Sequence, residues 1–181
     1  MRIIKSLLDN EYPYIGIEQT REIVRAMILL DDGKFLFHHL EGDDIFGHRD
    51  YFETPGGGKE KGEDNLSALA RECKEETGYE IVCLSPIGII EDYYNLLKRK
   101  NINHYYLVKA IGEKKETHFA SKGDELIKET LAFSLEEAEE NYRKKATTPI
   151  ARLLMARELP IIEATKSILL SHPFSCRQSW K

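Results

Sequence analysis

Residues 57–79 read GGKEKGEDNLSALARECKEETGY. A glycine turn precedes a short helical stretch that carries Arg71, Glu72, Glu75 and Glu76. Residues three and four apart are neighbours on a helix surface, so Glu72 faces both Glu75 and Glu76. Like charges at that spacing repel by about 0.2–0.5 kcal/mol per pair. A divalent cation reverses the sign of that interaction. Mg²⁺ in particular is held by a few carboxylates together with substrate phosphates and retained waters. Three glutamates alone would read as a solvated helix face. The glycines at fixed offsets turn the pattern toward metal-assisted chemistry on a phosphate compound.

The same residues resemble the Nudix hydrolase signature: glycine, five residues, glutamate, seven residues, then R-E-U-x-E-E-x-G-U with U aliphatic. Gly57, Glu63, Arg71, Glu72, Glu75, Glu76 and Gly78 fall on every glycine and polar position of it. Cys73 and Tyr79 depart from the aliphatic positions. Both slots face packing in the family, and cysteine behaves as a small hydrophobe. Upstream, Thr54-Pro55-Gly56-Gly57 looks like the family's approach to this box. In layout the resemblance runs from about Ile23 to Glu140, and it is specific only within the box.

The resemblance implies an α/β fold, a Nudix-type α/β/α sandwich with a mixed β-sheet. It implies a pyrophosphatase acting on phosphorus-containing acid anhydrides, with Mg²⁺ as cofactor and Mn²⁺ as a substitute. Glu72, Glu75 and Glu76 would hold the metal, with the Gly56 carbonyl as a further ligand. Glu72 could instead orient or deprotonate the attacking water. The family often adds an acidic residue from a later loop; Asp124 and Glu125 are the candidates, and Glu125 is taken as catalytic. Counterparts of Glu63 and Arg71 pair and lock the loop onto the helix, so both are supports. Gly57 and Gly58 let the backbone approach phosphate closely.

The substrate implied is a small nucleoside diphosphate derivative. ADP-ribose pyrophosphatases in the family carry a proline about fifteen residues after the box, where this chain has Tyr93-Tyr94-Asn95. Dinucleoside polyphosphate hydrolases carry a tyrosine near there, which makes Tyr94 a substrate-binding candidate. Two rival classes stand beside this reading. A nucleotide-sensing module on the same fold would usually have lost box carboxylates, and this chain keeps them all. A diphosphate isomerase would want an active-site cysteine, for which Cys83 and Cys176 have no supporting context.

Composition sets the outer bounds. A chain of 181 residues fits one domain over 1–181, with a C-terminal helical extension at about 148–170. A net charge of −5 gives no global pull toward a nucleic acid polymer or an anionic membrane. No apolar run approaches the ~20 residues of a transmembrane helix. The start, MRIIKSLLDNEYPY, is broken by Lys5 and Asp9 and makes a poor signal peptide. Cys73, Cys83 and Cys176 are odd in number and lack CxxC spacing, which fits a reducing cytoplasm. Family members are often dimers, which leaves a homodimer open.

Around the box, Ile23–Leu30 predicts a strand and Asp32-Gly33 a hairpin turn into Lys34–His39. Glu41–Arg49 reads as a loop and Tyr51–Thr54 as extended. The box helix takes Asp64 as N-cap, an apolar stripe of Leu66, Leu69, Ala70 and Cys73, and Gly78 as left-handed stop. Ile81–Leu84, Ile87–Tyr94 and His104–Ala110 predict strands, with a polar turn over Asn95–Asn103. Glu113–Asp124 reads as a loop and Glu125–Phe133 as extended. Ser134 to Glu137 is a capping box opening a helix to about Lys145. Thr148-Pro149 opens another, ending before Pro160, with a further helix over Ile161–Leu170 and a loose tail after Pro173.

Outside the box the readings stay open or bland. Arg25, in an apolar strand, either reads a substrate phosphate or sits on the outward face. Lys98-Arg99-Lys100 reads as a soluble turn rather than a phosphate contact. Tyr93, Tyr94, Tyr105 and Tyr106 include at most a base-stacking residue among packing aromatics. His38, His39, His48, His104 and His118 show no ligand spacing and are taken as structural or exposed.

Overall fold

The apolar run after Glu22 becomes a strand buried on both faces. In the computed structural model, which describes residues 1–118 and 124–171, strand β2 spans Gln19–Leu29. Val24, Ala26, Met27 and Ile28 within it are fully buried. A near-continuous apolar strand is what a sheet covered on both sides requires. The remaining elements, in chain order, are β1 (Ile3–Leu7), β3 (Phe35–Asp44), β4 (Gly47–Glu53), α1 (Asn65–Thr77), β5 (Glu80–Tyr94), β6 (Arg99–Ile111), β7 (Ile127–Phe133), α2 (Leu135–Lys145) and α3 (Pro149–Ser171). Cys176, the tail after Pro173 and the side chain of Asp124 lie outside the described residues.

The sheet is mixed, in the order β1-β5-β6-β2-β3-β4, with β7 on the other edge of β3. β2 runs parallel to β6 along its whole length, from Gln19 opposite Arg99 to Leu29 opposite Lys109. It meets β3 only where Leu29 faces Phe35. The β2–β3 hairpin therefore splays, and the loop before the box fills the gap. Ala26 N–H donates to the Pro55 carbonyl (2.9 Å), Val24 N–H to Gly57 (3.0 Å) and Lys59 N–H to Glu22 (3.1 Å). The splayed hairpin fixes the position of the box.

Helices cover both faces, as the α/β/α expectation requires. α1 lies over a core of Val24, Ala26, Ile28, Leu69, Cys73 and Val108. α2 and α3 cover a second core with Met27, Phe37, Leu107, Tyr142 and Ile161. Among the described residues, no helix is long and apolar enough to cross a membrane.

Several local expectations need correction. Residues 41–49 are not a loop: β3 and β4 pair down to Asp44 opposite Gly47. Asp44 accepts from the Phe46 N–H (2.9 Å) and Gly47 takes φ +89°, which closes a short turn. The polar composition there belongs to an edge hairpin wet on its outer side. The two strands drawn over residues 81–94 are one bulged strand. The polar turn over 95–103 shrinks to a 3₁₀ turn at Asn95–Leu97, and β6 begins at Arg99. Asn101 and Asn103 are buried in β6: Asn101 lines a polar cavity, while Asn103 donates to Asp92 (2.9 Å) and the Ile90 carbonyl (3.1 Å) and accepts from Arg25 (3.2 Å).

In α1 the buried residues are Ala68, Leu69, Cys73, Glu76 and Thr77, while Leu66 and Ala70 are exposed. The inward face is rotated so that it carries a carboxylate. α3 passes through Pro160 without a break. A proline removes one helix hydrogen bond, but Ile161 and Ile162 beyond it, like Leu154 before it, are fully packed. Tertiary burial holds the helix across the defect.

Candidate active site

Local sequence fixes the box helix at both ends. Asp64 caps α1 by accepting from the Leu66 and Ser67 N–H groups (2.9 and 3.1 Å). Gly78 ends it at φ +76°, where a Cβ would fall 2.1 Å from the Lys115 carbonyl oxygen. Between these stops Glu72 and Glu76 line a cavity of about 320 Å³, at the small end of ligand pockets. Glu75 lies to the side of it.

Glu76 is 5% exposed. Its Oε2 accepts from the Gly56 N–H (2.8 Å) and lies 3.1 Å from His38 Nε2. His38 Nδ1 in turn sits 2.9 Å from Thr130 Oγ1, so β3 and β7 hold the imidazole against the box. Gly56 adopts φ +135°, and a Cβ there would strike the Val24 carbonyl oxygen at 2.1 Å. Gly57 lies under Glu72: a Cβ would come within 2.5 Å of its carboxylate. Only glycine brings the loop backbone this close to both carboxylates.

Arg71 ties the carboxylates to the loop. Its Nε and Nη2 donate to the two Glu63 oxygens (3.0 Å each). Nη2 also reaches the Gly58 carbonyl at 3.3 Å. Nη1 donates to Glu72 (2.9 Å) and Glu75 (3.2 Å). Burial pushes the Glu72 carboxyl up to about 7; Arg71 opposes the rise, and the neighbouring Glu76 and Glu75 charges add to it. A cation beside Glu72 would relieve this strain.

Among the described residues, no three His, Cys, Asp or Glu side chains already converge into a metal site. The donor set nonetheless fits a hard divalent ion: Glu72 and Glu76 face one cavity beside the Gly56 backbone, and burial pushes Glu72 toward neutrality even with the Arg71 guanidinium beside it. Glu75 would join once Arg71 releases it.

The cavity floor is a buried charge network. Arg25 donates through Nε to Asn103 Oδ1 (3.2 Å), through Nη1 to the Thr54 carbonyl (2.9 Å), and pairs with Glu53 at 2.5 Å. Arg157, from α3, reaches Glu53 and Glu158 at 2.7 Å each. Thr54 and Tyr105 hydroxyls donate to Glu158 (3.1 and 2.9 Å). Burial alone would raise the Glu53 carboxyl, but the Arg25 and Arg157 charges outweigh it and hold it at about 2.

The structure brings Gly56, Gly57, Gly58, Glu72, Glu76, Arg25 and Tyr94 to one cavity. Glu63, Arg71 and Glu75 adjoin it through hydrogen bonds. Arg25 points inward, not to the outer face, and its guanidinium is committed to protein acceptors on every nitrogen. Tyr94 is packed edge-on against Phe46 (5.7 Å between centroids), with its hydroxyl 3.3 Å from Arg157 Nη1. Glu125 is exposed on the 3₁₀ turn Asp124–Leu126 and does not line the cavity.

Sequence reasoning missed His38, Glu53 and Arg157, and it set aside Arg99. The adjacent Arg157-Glu158 charges in an otherwise apolar helix face were the available signal. Lys98 ends the 3₁₀ turn and Lys100 lies in β6 rather than in the expected turn; they pair with Glu18 and Glu91 at 2.6 Å each. Arg99 between them instead lines the cavity.

A splayed mixed sheet between helix layers, with a glycine loop over a helix of paired carboxylates, defines the class. The NUDIX domain model matches residues 20–155, and the chain belongs to that family, whose members are generally pyrophosphohydrolases. Solved structures agree on the fold. A NUDIX hydrolase from Nitrosomonas europaea matches at 20% identity and TM-score 0.63, covering 88% of this chain and 100% of its own. The MutT protein from Methanosarcina mazei Go1 matches at 18% identity and TM-score 0.59, over 86% and 99%. A UDP-X diphosphatase matches at 15% identity and TM-score 0.56, over 84% and 66%. No curated protein sequence gives a significant match.

Proposed function

We propose that this protein is a Mg²⁺-dependent hydrolase, able to use Mn²⁺, that cleaves the diphosphate linkage of a nucleoside diphosphate joined to another moiety. The observation that carries this reading is the pair Glu72 and Glu76. They project into one cavity beside a glycine backbone, with Glu72 driven toward neutrality by burial. Glu72, Glu76 and the Gly56 carbonyl would hold the metal, and Glu75 would complete the set. When bound, the metal supplies neutralisation of phosphate charge and a lowered pKa for bound water.

The chain's own residues do the rest. His38 and the Gly56 N–H hold Glu76 in one orientation, so the ligand is positioned before substrate arrives. Arg71 and Glu63 pin the loop to the helix. The network of Arg25, Glu53, Arg157 and Glu158 makes a charge-balanced floor without offering a free cation. Glu125 has no place in this arrangement, and we assign it no catalytic role.

The test is product chromatography on ADP-ribose, sugar nucleotides, dinucleoside polyphosphates, NADH, coenzyme A and nucleoside triphosphates, with and without Mg²⁺. One strong Mg²⁺-dependent hit, lost by orders of magnitude in Glu76→Gln with the fold intact, supports the reading. A folded, metal-binding protein silent on every compound would favour a nucleotide sensor instead.

A further inference from the structure

The cavity carries polar side chains that the hydrolytic chemistry leaves unused. Arg21 lies opposite Asn101 in the β2–β6 register, and Gln19 lies opposite Arg99. Successive residues alternate faces along a strand, so Arg21, Arg99 and Asn101 share the face that lines the cavity. Arg25, Arg49, Arg71 and Arg157 each hold a carboxylate. Among the described residues, Arg21 and Arg99 hold none.

Their surroundings sharpen the contrast. Arg99 Nε is buried without a hydrogen-bond partner. Asn101 is 1% exposed, and its Oδ1 also lacks a partner. A buried polar atom left unmade costs about 1–3 kcal/mol, so both await an occupant. Burial, then the Arg21 charge, depresses the Arg99 guanidinium pKa, and the opposing pull of Tyr94 and Asp92 does not cancel it. Gly58 lets Arg21 close on the box loop: a Cβ there would sit 2.3 Å from its Nη2.

We propose that Arg21, Arg99 and Asn101 form a subsite for a hydroxyl-bearing phosphomonoester, the sugar-phosphate end of the substrate. Two guanidiniums suit the paired oxygens of a phosphoryl group. The Asn101 oxygen accepts from a hydroxyl beside it. The subsite stands on these side chains alone; its assignment to the substrate rests on the hydrolase reading above. It separates compounds that carry a phosphate besides the cleaved diphosphate from those that do not.

The experiment is isothermal titration of the full chain with ribose 5-phosphate and with inorganic phosphate, both in EDTA. Without metal the box carboxylates repel anions, so saturable binding reports the arginines. Wild type should bind ribose 5-phosphate more tightly than phosphate. Arg21→Gln and Arg99→Gln should each weaken it tenfold or more. Asn101→Leu should erase the preference between the two probes, and Glu76→Gln should bind at least as well as wild type. If Arg99→Gln fails to fold, Arg21→Gln, at an exposed position, decides the matter. No saturable binding by wild type, or full binding by both arginine variants, overturns the subsite. Loss in Glu76→Gln equal to that in Arg21→Gln does so too. Arginine-dependent binding in a protein inactive on every diphosphate would keep the subsite and sink the hydrolase reading. Hydrolysis indifferent to both arginines would do the reverse.

Discussion

Replacing Glu72 with glutamine should stabilise the metal-free protein, with a gain that opens above about pH 4.5 and is complete above about pH 7. The carboxyl is raised from 4.5 to about 7 in the folded chain. Between those values the folded state binds the proton more tightly than the unfolded state does. Wild-type stability therefore falls as pH rises from about 4.5 to 7 and stays level above. A shift of that size amounts to about 3 kcal/mol at pH 8. For a chain of this length that corresponds to about 6–12 °C in Tm. Glutamine keeps the acceptor for Arg71 and never ionises. In EDTA, scanning calorimetry should show Glu72→Gln melting well above wild type at pH 8 and close to it near pH 4. Saturating Mg²⁺ should close the gap at pH 8, because the cation then favours the native carboxylate. The variant should have lost turnover. Equal melting temperatures at pH 8, or a gap of the same size at both pH values, would refute the account of Glu72 as a desolvated, metal-seeking carboxylate.

Other perturbations probe the supports. Arg157→Met leaves Glu53 and Glu158 buried with half their positive charge gone, and should cost about 3–5 kcal/mol by urea denaturation at pH 7. A loss under 1 kcal/mol would mean the network is hydrated. Gly56→Ala drives a Cβ into the Val24 carbonyl at positive φ; it should lose about 1–3 kcal/mol and nearly all turnover, checked by Tm and initial rate. Arg71→Ala frees Glu63, Glu72 and Glu75 together and should lower both Tm and rate, with partial recovery in Arg71→Lys. An unchanged melting temperature would contradict its role as a clamp.

The box was legible because its constraints are local. Asp64 and Gly78 act within one helix, so spacing alone locates them, and the Arg71–Glu63 pair followed from the resemblance. The other wall of the cavity was not legible. His38 meets Glu76, Arg25 meets Glu53, and Arg157 meets both Glu53 and Glu158 only after distant strands and α3 are packed. Asn101 and Asn103 misled for the same reason: polar residues suggest a turn when the cavity that Asn101 lines and the buried partners of Asn103 cannot be seen. The Glu41–Arg49 hairpin shows the converse error, since an edge strand washed by solvent has the composition of a loop. Glu125 was chosen by analogy of position, and the turn that carries it faces solvent.

α3 supplies Ile150, Leu154 and Arg157 to the cavity, while the box carboxylates come from α1. The matched family segment stops at residue 155, inside α3 and short of Arg157. Ile150 and Leu154 fall inside that segment and Arg157 outside it, so the cavity wall runs across its end. Exchanging Ile150 or Leu154 would reshape the cavity wall without touching α1 or the Arg157–Glu158 pair, which makes the first turns of the third helix the natural handle for redirecting this protein to a new compound.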